Sequence, residues 1–224
     1  MPLLSDSDRQ AVADRLATIT HPVTLLFFTQ TFGEPETARL TKQIVDELAS
    51  LSEQVTVEEV NFVLDRERAV QYGIDHIPAI VLLRDGEDTR MRFLGAPAGY
   101  EFMSLIEAVT VAGGVDSGLS DASRALIREQ VTEPRNVLVF VTPTCPHCPR
   151  AVSLAHRMAV ESPHITATCV EATEFLDLSR QYHVSGVPKT VVNDAIEILG
   201  ALPEDQFVRQ VLGPTEPEPP STSA

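Results

Sequence analysis

The sequence has no tryptophan and only three cysteines among its 224 residues, and it lacks a long hydrophobic run. Its longest apolar segments, such as Val23–Phe28, have the length of a strand and fall well short of the roughly 18 residues of a membrane span. Positive charge is also scarce. The net charge of −15 argues against nucleic acid or an anionic membrane as the main partner, because such a surface repels both. The first residues show no basic region followed by an apolar stretch, so we expect no signal peptide and a cytoplasmic protein.

Two of the three cysteines, Cys145 and Cys148, lie in the segment Pro143–Arg150. The apolar run Val137–Val141 precedes this segment and predicts a strand, and Ala151–Val160 follows it with the pattern of a helix. Thiol–disulfide exchange requires a thiolate, which the unpaired N–H groups and the positive dipole end at a helix N-terminus stabilise. The order strand, cysteine pair, helix therefore predicts a redox site.

Two other interpretations of the cysteine pair are weaker. A structural disulfide across so short a loop removes little chain entropy, so it would stabilise the fold poorly. A zinc site requires four ligands, and no second pair of cysteines or histidines has suitable spacing. We therefore expect no metal and no cofactor other than the Cys145–Cys148 disulfide. In exchange, Cys145 attacks first and Cys148 resolves the mixed disulfide.

Several neighbours of the pair are predicted to modulate it. Pro146 suits the first helical position, which requires no backbone N–H, and a protonated His147 between the sulfurs would stabilise the thiolate. Lys189 either lowers the pKa of Cys145 and contacts substrate or is a solvated lysine at a strand end. Cys169, in an alternating segment, is predicted to be a small buried residue rather than a third redox thiol.

The chain contains an internal repeat. Tyr182–Pro188 matches Tyr72–Pro78, and Leu199–Ala201 matches Leu94–Ala96, in the same order along the chain. The pattern predicts two copies of one α/β unit, with a glycine-containing linker between them. We place the first copy, without cysteines, at residues 1–114 and the second, with the redox pair, at 115–213. Residues 214–224 are rich in proline and are predicted to be disordered.

Each copy is predicted to run helix, strand, helix, strand, helix, strand, strand, helix. The early strands are separated by a helix, so they require a parallel pair, whereas the late strands are joined by a short turn and require an antiparallel pair. A mixed sheet flanked by helices follows for each copy.

These motifs resemble the thioredoxin-like superfamily. Residues 3–213 are more closely similar to glutaredoxin-like protein disulfide oxidoreductases, which join two thioredoxin folds in one chain. They also resemble the N-terminal region of the flavoprotein that reduces alkyl hydroperoxide peroxiredoxins. The resemblance rests on three motifs: Pro143–Pro149, Gly186–Lys189 and Leu199–Ala201.

The resemblance implies that Cys145 is the nucleophile and Cys148 the resolving thiol. It also implies a cis Val187–Pro188 bond, which places Pro188 against the disulfide. In such a site the backbone of Val187 pairs with an extended substrate peptide.

The first copy departs from the family pattern. Aligning the copies places Phe32 and Pro35 at the positions of the two cysteines, although Pro78 is retained. We therefore expect a degenerate site there, without thiol chemistry.

The second copy departs as well. Thioredoxins place a buried acid six residues before the nucleophile, and here that position is Val139. We expect proton handling to fall to solvent, His147 or Lys189.

The sequence thus indicates a thiol–disulfide oxidoreductase acting on protein disulfides, with a peroxiredoxin as one candidate client. A reductase such as a thioredoxin reductase-like flavoenzyme, or a dithiol, would reset the pair. The alternative is a binding module in which the degenerate copy holds a client or partner and the thiols are regulatory or incidental.

Pro146 and His147 between the cysteines predict a stabilised thiolate, and a stabilised reduced form makes the disulfide more oxidising. We expect a reduction potential above that of thioredoxin, which is roughly −270 mV. Equilibration with a glutathione redox buffer measures this value. A potential at or below that of thioredoxin would contradict the prediction.

Overall fold

The structure, a computed structural model, describes residues 3–31, 33 and 35–213. The tail predicted to be disordered lies outside the described residues, as does Phe32. The first half contains α1 (Asp6–Leu16), β1 (Val23–Thr29), α2 (Glu36–Ala49), β2 (Val55–Asn61), α3 (Arg66–Gln71), β3 (Ala79–Arg84), β4 (Glu87–Leu94) and α4 (Glu101–Ala112). The second half contains α5 (Asp121–Gln130), β5 (Arg135–Val141), α6 (Cys148–Glu161), β6 (Ile165–Glu171), α7 (Leu176–Gln181), β7 (Lys189–Val192), β8 (Ile196–Leu199) and α8 (Glu204–Leu212).

The predicted order of elements is confirmed in both halves. The first helix of each half, α1 or α5, begins after a serine N-cap. The Ser5 hydroxyl accepts a hydrogen bond from the Asp8 backbone N–H, and the Ser120 hydroxyl accepts one from the Ser123 N–H. Such a cap satisfies one of the N–H groups that a helix N-terminus leaves unpaired.

The eight strands form a single mixed sheet in the order β2-β1-β3-β4-β6-β5-β7-β8. Within each half the helix-connected strands pair in parallel and the turn-connected strands pair antiparallel, as predicted. The halves join where β4 pairs in parallel with β6, for example Phe93 with Cys169. The sequence pattern did not predict this junction.

The hydrophobic core is shared between the halves. One cluster of buried residues covers the face of the sheet that carries α1, α2, α4, α5, α6 and α8. A second cluster lies on the opposite face with α3 and α7. Helix α4 of the first half packs directly against α6 of the second, and Glu107 forms an ion pair with Arg157 across this contact. Across the described ranges, no helix combines the length and apolar character that crossing a membrane requires.

A close backbone contact ties the first half to the loop after β5. Gly99 precedes α4 with φ of +59°, and a Cβ there would collide with the carbonyl oxygen of Pro143. The next N–H, that of Tyr100, donates a hydrogen bond of 3.0 Å to the same oxygen. Position 99 therefore requires glycine both for its backbone conformation and for this approach.

We expect Gly99→Ala to lower the free energy of unfolding by about 2–4 kcal/mol, because it adds a collision to a left-handed backbone. Gly73→Ala is the matched control: its φ is +64°, but no atom lies within 4 Å of the added Cβ. The control should lose only about 1 kcal/mol. Urea unfolding of both variants measures the difference, and equal losses would contradict the importance of the contact with Pro143.

Candidate active site

The cysteine pair lies on the loop between β5 and α6. Cys145 and Cys148 form a disulfide with their Cα atoms 5.5 Å apart. Helix α6 begins at Cys148, with His147 as its N-cap residue and Pro149 in its first turn. The sequence placed Cys145 at the helix entrance with Pro146 as the first helical residue. The helix starts later because two turns precede it. The Cys145 N–H donates to the Thr142 carbonyl, and the Cys148 N–H donates to the Cys145 carbonyl across Pro146.

The two sulfurs differ in accessibility. Cys145 is half-buried, whereas Cys148 is fully buried in the shared core. His147 between them is exposed, as is Pro146. Only the first sulfur can meet a large disulfide substrate, and the second is placed to attack from inside.

The Cys145 sulfur lies 3.8 Å from the carbonyl oxygen of Val187. The Val187–Pro188 peptide bond is cis, as the resemblance implies. This brings β7 and the backbone of Val187 alongside the more exposed sulfur.

Lys189 does not extend toward the sulfurs. It is paired with Phe140, which lies in the cluster on the α3 and α7 face, whereas Cys148 belongs to the cluster on the opposite face. Its ammonium group donates to the Tyr182 carbonyl at 2.6 Å and forms an ion pair with Glu197. These contacts favour a structural role for this lysine.

The equivalent site in the first half keeps part of the framework without the thiols. The Ile77–Pro78 peptide bond is cis, like that of the second half. Pro35 is the N-cap residue of α2, the place that His147 holds at α6, so the first helical residue Glu36, rather than Pro35 as the sequence alignment suggested, corresponds to Cys148. Phe32 lies outside the described residues. Among those residues, no three histidine, cysteine, aspartate or glutamate side chains are grouped so that they could hold a metal ion.

A carboxyl group from the first half lies on the face of the sheet that also carries Cys148. Glu101, in the first turn of α4, is 1% exposed. Its Oε2 accepts a hydrogen bond of 2.6 Å from the Ser104 hydroxyl and lies 3.9 Å from the Cys169 sulfur. Cys169 pairs across the sheet with Val139, which occupies the position of the buried acid in thioredoxins. Glu101, on α4, thus contacts the residue that is paired with Val139 on the neighbouring strand.

Burial raises the pKa of Glu101 from 4.5 to about 7, while the hydrogen bond from Ser104 lowers it in part. The carboxyl group can therefore take up and release a proton near neutral pH. Cys169 is buried, as predicted, and burial together with the nearby Glu101 carboxylate raises the pKa of its thiol. It remains a neutral thiol beside the carboxyl group.

The sequence assigned proton handling to solvent, His147 or Lys189 and missed Glu101. One signal was present: Glu101 is in helical register with the buried Leu105 and Ala108, and an acid in such an apolar stripe is uncommon. Its approach to the second half depends on the β4–β6 junction, which the sequence did not reveal.

Comparison with known proteins agrees with this geometry. Residues 135–213 match the family model of the thioredoxin domain. Over 178 residues the chain is 28% identical to the alkyl hydroperoxide reductase AhpF of Escherichia coli (strain K12), and the match covers 80% of this chain and 32% of that protein. It is also 28% identical over 165 residues to an NADH dehydrogenase of Bacillus subtilis (strain 168), covering 72% of this chain and 29% of the relative. The chain thus spans about a third of the length of these relatives.

Solved structures match almost the whole chain. The NTD_N/C domain of alkyl hydroperoxide reductase AhpF from Enterococcus faecalis has a TM-score of 0.85 at 28% identity, covering 92% of this chain and 98% of that one. A protein disulfide oxidoreductase from Aeropyrum pernix K1 has a TM-score of 0.84 at 26% identity, covering 93% and 92%. With its disulfide-forming CxxC pair and two tandem thioredoxin-like folds, the chain is similar to the N-terminal region of the alkyl hydroperoxide reductase AhpF, and its residues 135–213 match the thioredoxin domain.

Proposed function

We propose that this protein is a thiol–disulfide oxidoreductase that acts on disulfides of other proteins. The observation that carries the proposal is the asymmetry of the pair: Cys145 is accessible beside the Val187 carbonyl, and Cys148 is fully buried. An accessible nucleophile beside the backbone of Val187 suits an extended peptide, which would pair with this backbone as a strand does. A structural disulfide has no need of this arrangement.

In the proposed reaction the Cys145 thiolate attacks a client disulfide and forms a mixed disulfide, releasing the first client thiolate. Cys148 then loses its proton, attacks the Cys145 sulfur and releases the second client thiolate. The client is reduced by two electrons and the enzyme pair becomes a disulfide. The pair itself is the only redox group that these steps require.

Glu101 is the proton acceptor in the second step of this proposal. Cys148 is buried, so its proton has no direct route to solvent, and the Glu101 carboxyl group, which contacts Cys169 in the same core cluster, titrates near pH 7. A general base is most effective when its pKa lies near the working pH.

Similarity to the alkyl hydroperoxide reductase AhpF supports a peroxiredoxin as one client class. The electron donor is proposed to be a dithiol or a flavoprotein reductase. Electrons then flow from this reductant to the Cys145–Cys148 pair and on to the client.

An apolar cleft favours a second candidate function, the holding of a client by the first half. The cleft has a volume of about 250 Å³ and is lined mainly by Leu40, Ile44, Ala98 and Phe102. It adjoins Gly99, which contacts the loop that carries the cysteines. On this alternative the thiols are regulatory or incidental.

Cys145→Ser should reduce catalysis to the background of dithiothreitol alone in a turbidity assay with a disulfide-linked peptide hormone, because the nucleophile is lost. Cys169→Ser is the matched control, since it removes a buried thiol that takes no part in exchange, and it should keep most of the activity. Wild-type activity in Cys145→Ser would rule out the proposed function.

Cys148→Ser should accumulate covalent complexes with clients, because the mixed disulfide at Cys145 is no longer resolved. Non-reducing electrophoresis of lysate captures detects them, and dithiothreitol should release them. The double variant lacking both cysteines is the control. Partners that stay bound to the double variant, with no thiol-dependent captures, would favour the binding module.

Glu101→Gln should slow disulfide reduction at least about tenfold and remove the rise in rate as the pH increases through about 7, because the amide accepts no proton. Glu107→Gln, on the same helix, should keep that rise. A rise of unchanged midpoint in Glu101→Gln would contradict the role of this carboxyl group.

Glu101→Gln also tests the raised pKa of Glu101 through the pH dependence of the unfolding free energy. The folded-state pKa is raised, so between pH 4.5 and 7 the unfolded chain has released a proton that the folded chain still holds, and stability falls as the pH rises. Relative to Glu101→Gln, the wild type should therefore lose roughly 3 kcal/mol of unfolding free energy across this interval. Urea titrations at several pH values measure the loss.

A further inference from the structure

Two buried polar atoms on the face of the sheet that carries Cys148 have no hydrogen-bond partner among the described residues: Glu101 Oε1 and Thr190 Oγ1. Thr190 is fully buried at the second position of β7. Most buried polar groups in folded proteins are paired, either with protein atoms or with ordered water. Two such atoms on one side of a catalytic pair therefore require an explanation.

The strand register places both atoms on the same face of the sheet. Thr190 pairs with Val139, and Val139 pairs with Cys169, so the three side chains form a row across β7, β5 and β6. Glu101 lies over the Cys169 end of this row. Two strand spacings separate the Cα atoms of Thr190 and Cys169 by about 10 Å, a gap that a glutamate side chain and one bridging water can span.

The half without thiols has no such row. Its equivalent of the Val139–Thr190 pair is Phe27 with Ile80, and both of these side chains are fully buried and apolar. The unpaired hydroxyl thus occurs in the half that carries the cysteines, at a position where the same fold accepts a hydrocarbon side chain.

We propose that Thr190 is a positioning residue for the resolving step, and that its hydroxyl, through a buried water shared with Glu101 Oε1, orients the proton that Cys148 gives up. This inference rests on the proposed function. In the step, the proton leaves the Cys148 sulfur for the Glu101 carboxylate and the Cys148 sulfur bonds to the Cys145 sulfur. The client sulfur departs with the electron pair of the broken bond and afterwards receives a proton from Glu101 or from solvent.

The other titratable groups near Glu101 do not compete for the proton that Cys148 gives up. On β6, Cys169 remains a neutral thiol because burial and the carboxylates of Glu101 and Glu171 raise its pKa. On α6, burial lowers the pKa of His156 to about 4, so this side chain is neutral near pH 7. On α4, Glu107 is already paired with Arg157.

The test measures the two steps separately in the reduced full-length protein with a dithio-bis-nitrobenzoate probe, whose released thiolate is coloured. Attack by Cys145 releases a first equivalent, and resolution by Cys148 releases a second. Thr190→Val should leave the first phase unchanged and slow the second roughly five- to tenfold near pH 7. Thr190→Ser should restore the second phase, because it keeps the hydroxyl.

A matched control and a double variant separate positioning from general packing. Thr41→Val removes another fully buried hydroxyl, one that donates to the Thr37 carbonyl, and should leave both phases unchanged. Because Thr190 acts through Glu101, Thr190→Val combined with Glu101→Gln should be no slower than Glu101→Gln alone. Thermal melting verifies folding, and Thr190→Ala replaces Thr190→Val if the latter does not fold.

A wild-type second phase in Thr190→Val, or losses that add in the double variant, would overturn this inference and leave the proposed function standing. A wild-type protein without a second phase, or a second phase that persists in Cys148→Ser, would overturn both.

Discussion

The parallel pairing of β4 with β6 is the contact on which the rest of the structure depends. It converts two four-stranded units into one eight-stranded sheet and brings α4 of the first half against α6 of the second. Most of α4 is then buried in a core shared by both halves. Without this junction, the apolar faces of α4 and α6 would both be exposed to water, at a cost of about 25 cal/mol for each Å².

The junction also explains why a half without thiols belongs to the active site. Its helix α4 supplies Glu101, and the Tyr100 N–H just before it holds the Pro143 carbonyl two residues from Cys145. The second half carries valine at the position where thioredoxins have a buried acid. In the proposed mechanism, an acid from one half acts on the sulfurs of the other.

Much of this architecture could be predicted from the sequence, because its signals are local. Hydrophobic periodicity, capping serines and turn residues predicted the order of elements, and the repeated motifs predicted two equivalent halves. The cysteine spacing and the strand before it predicted the redox pair. The start of α6 at Cys148 was harder to predict from the sequence, because helix termini depend on competing turn hydrogen bonds such as that from the Cys145 N–H to the Thr142 carbonyl.

The sequence by itself determined the chemistry, because a cysteine pair between a strand and a helix is a property of neighbouring residues. Only the tertiary structure decided which groups surround that pair. Glu101 and Cys148 are far apart along the chain, and their common location follows from strand pairing between the halves. The direction of Lys189, away from the sulfurs, depends likewise on which face of β7 it occupies. Because side chains alternate between the faces of a strand, a single step in register separates a residue of the active site from one of the opposite core.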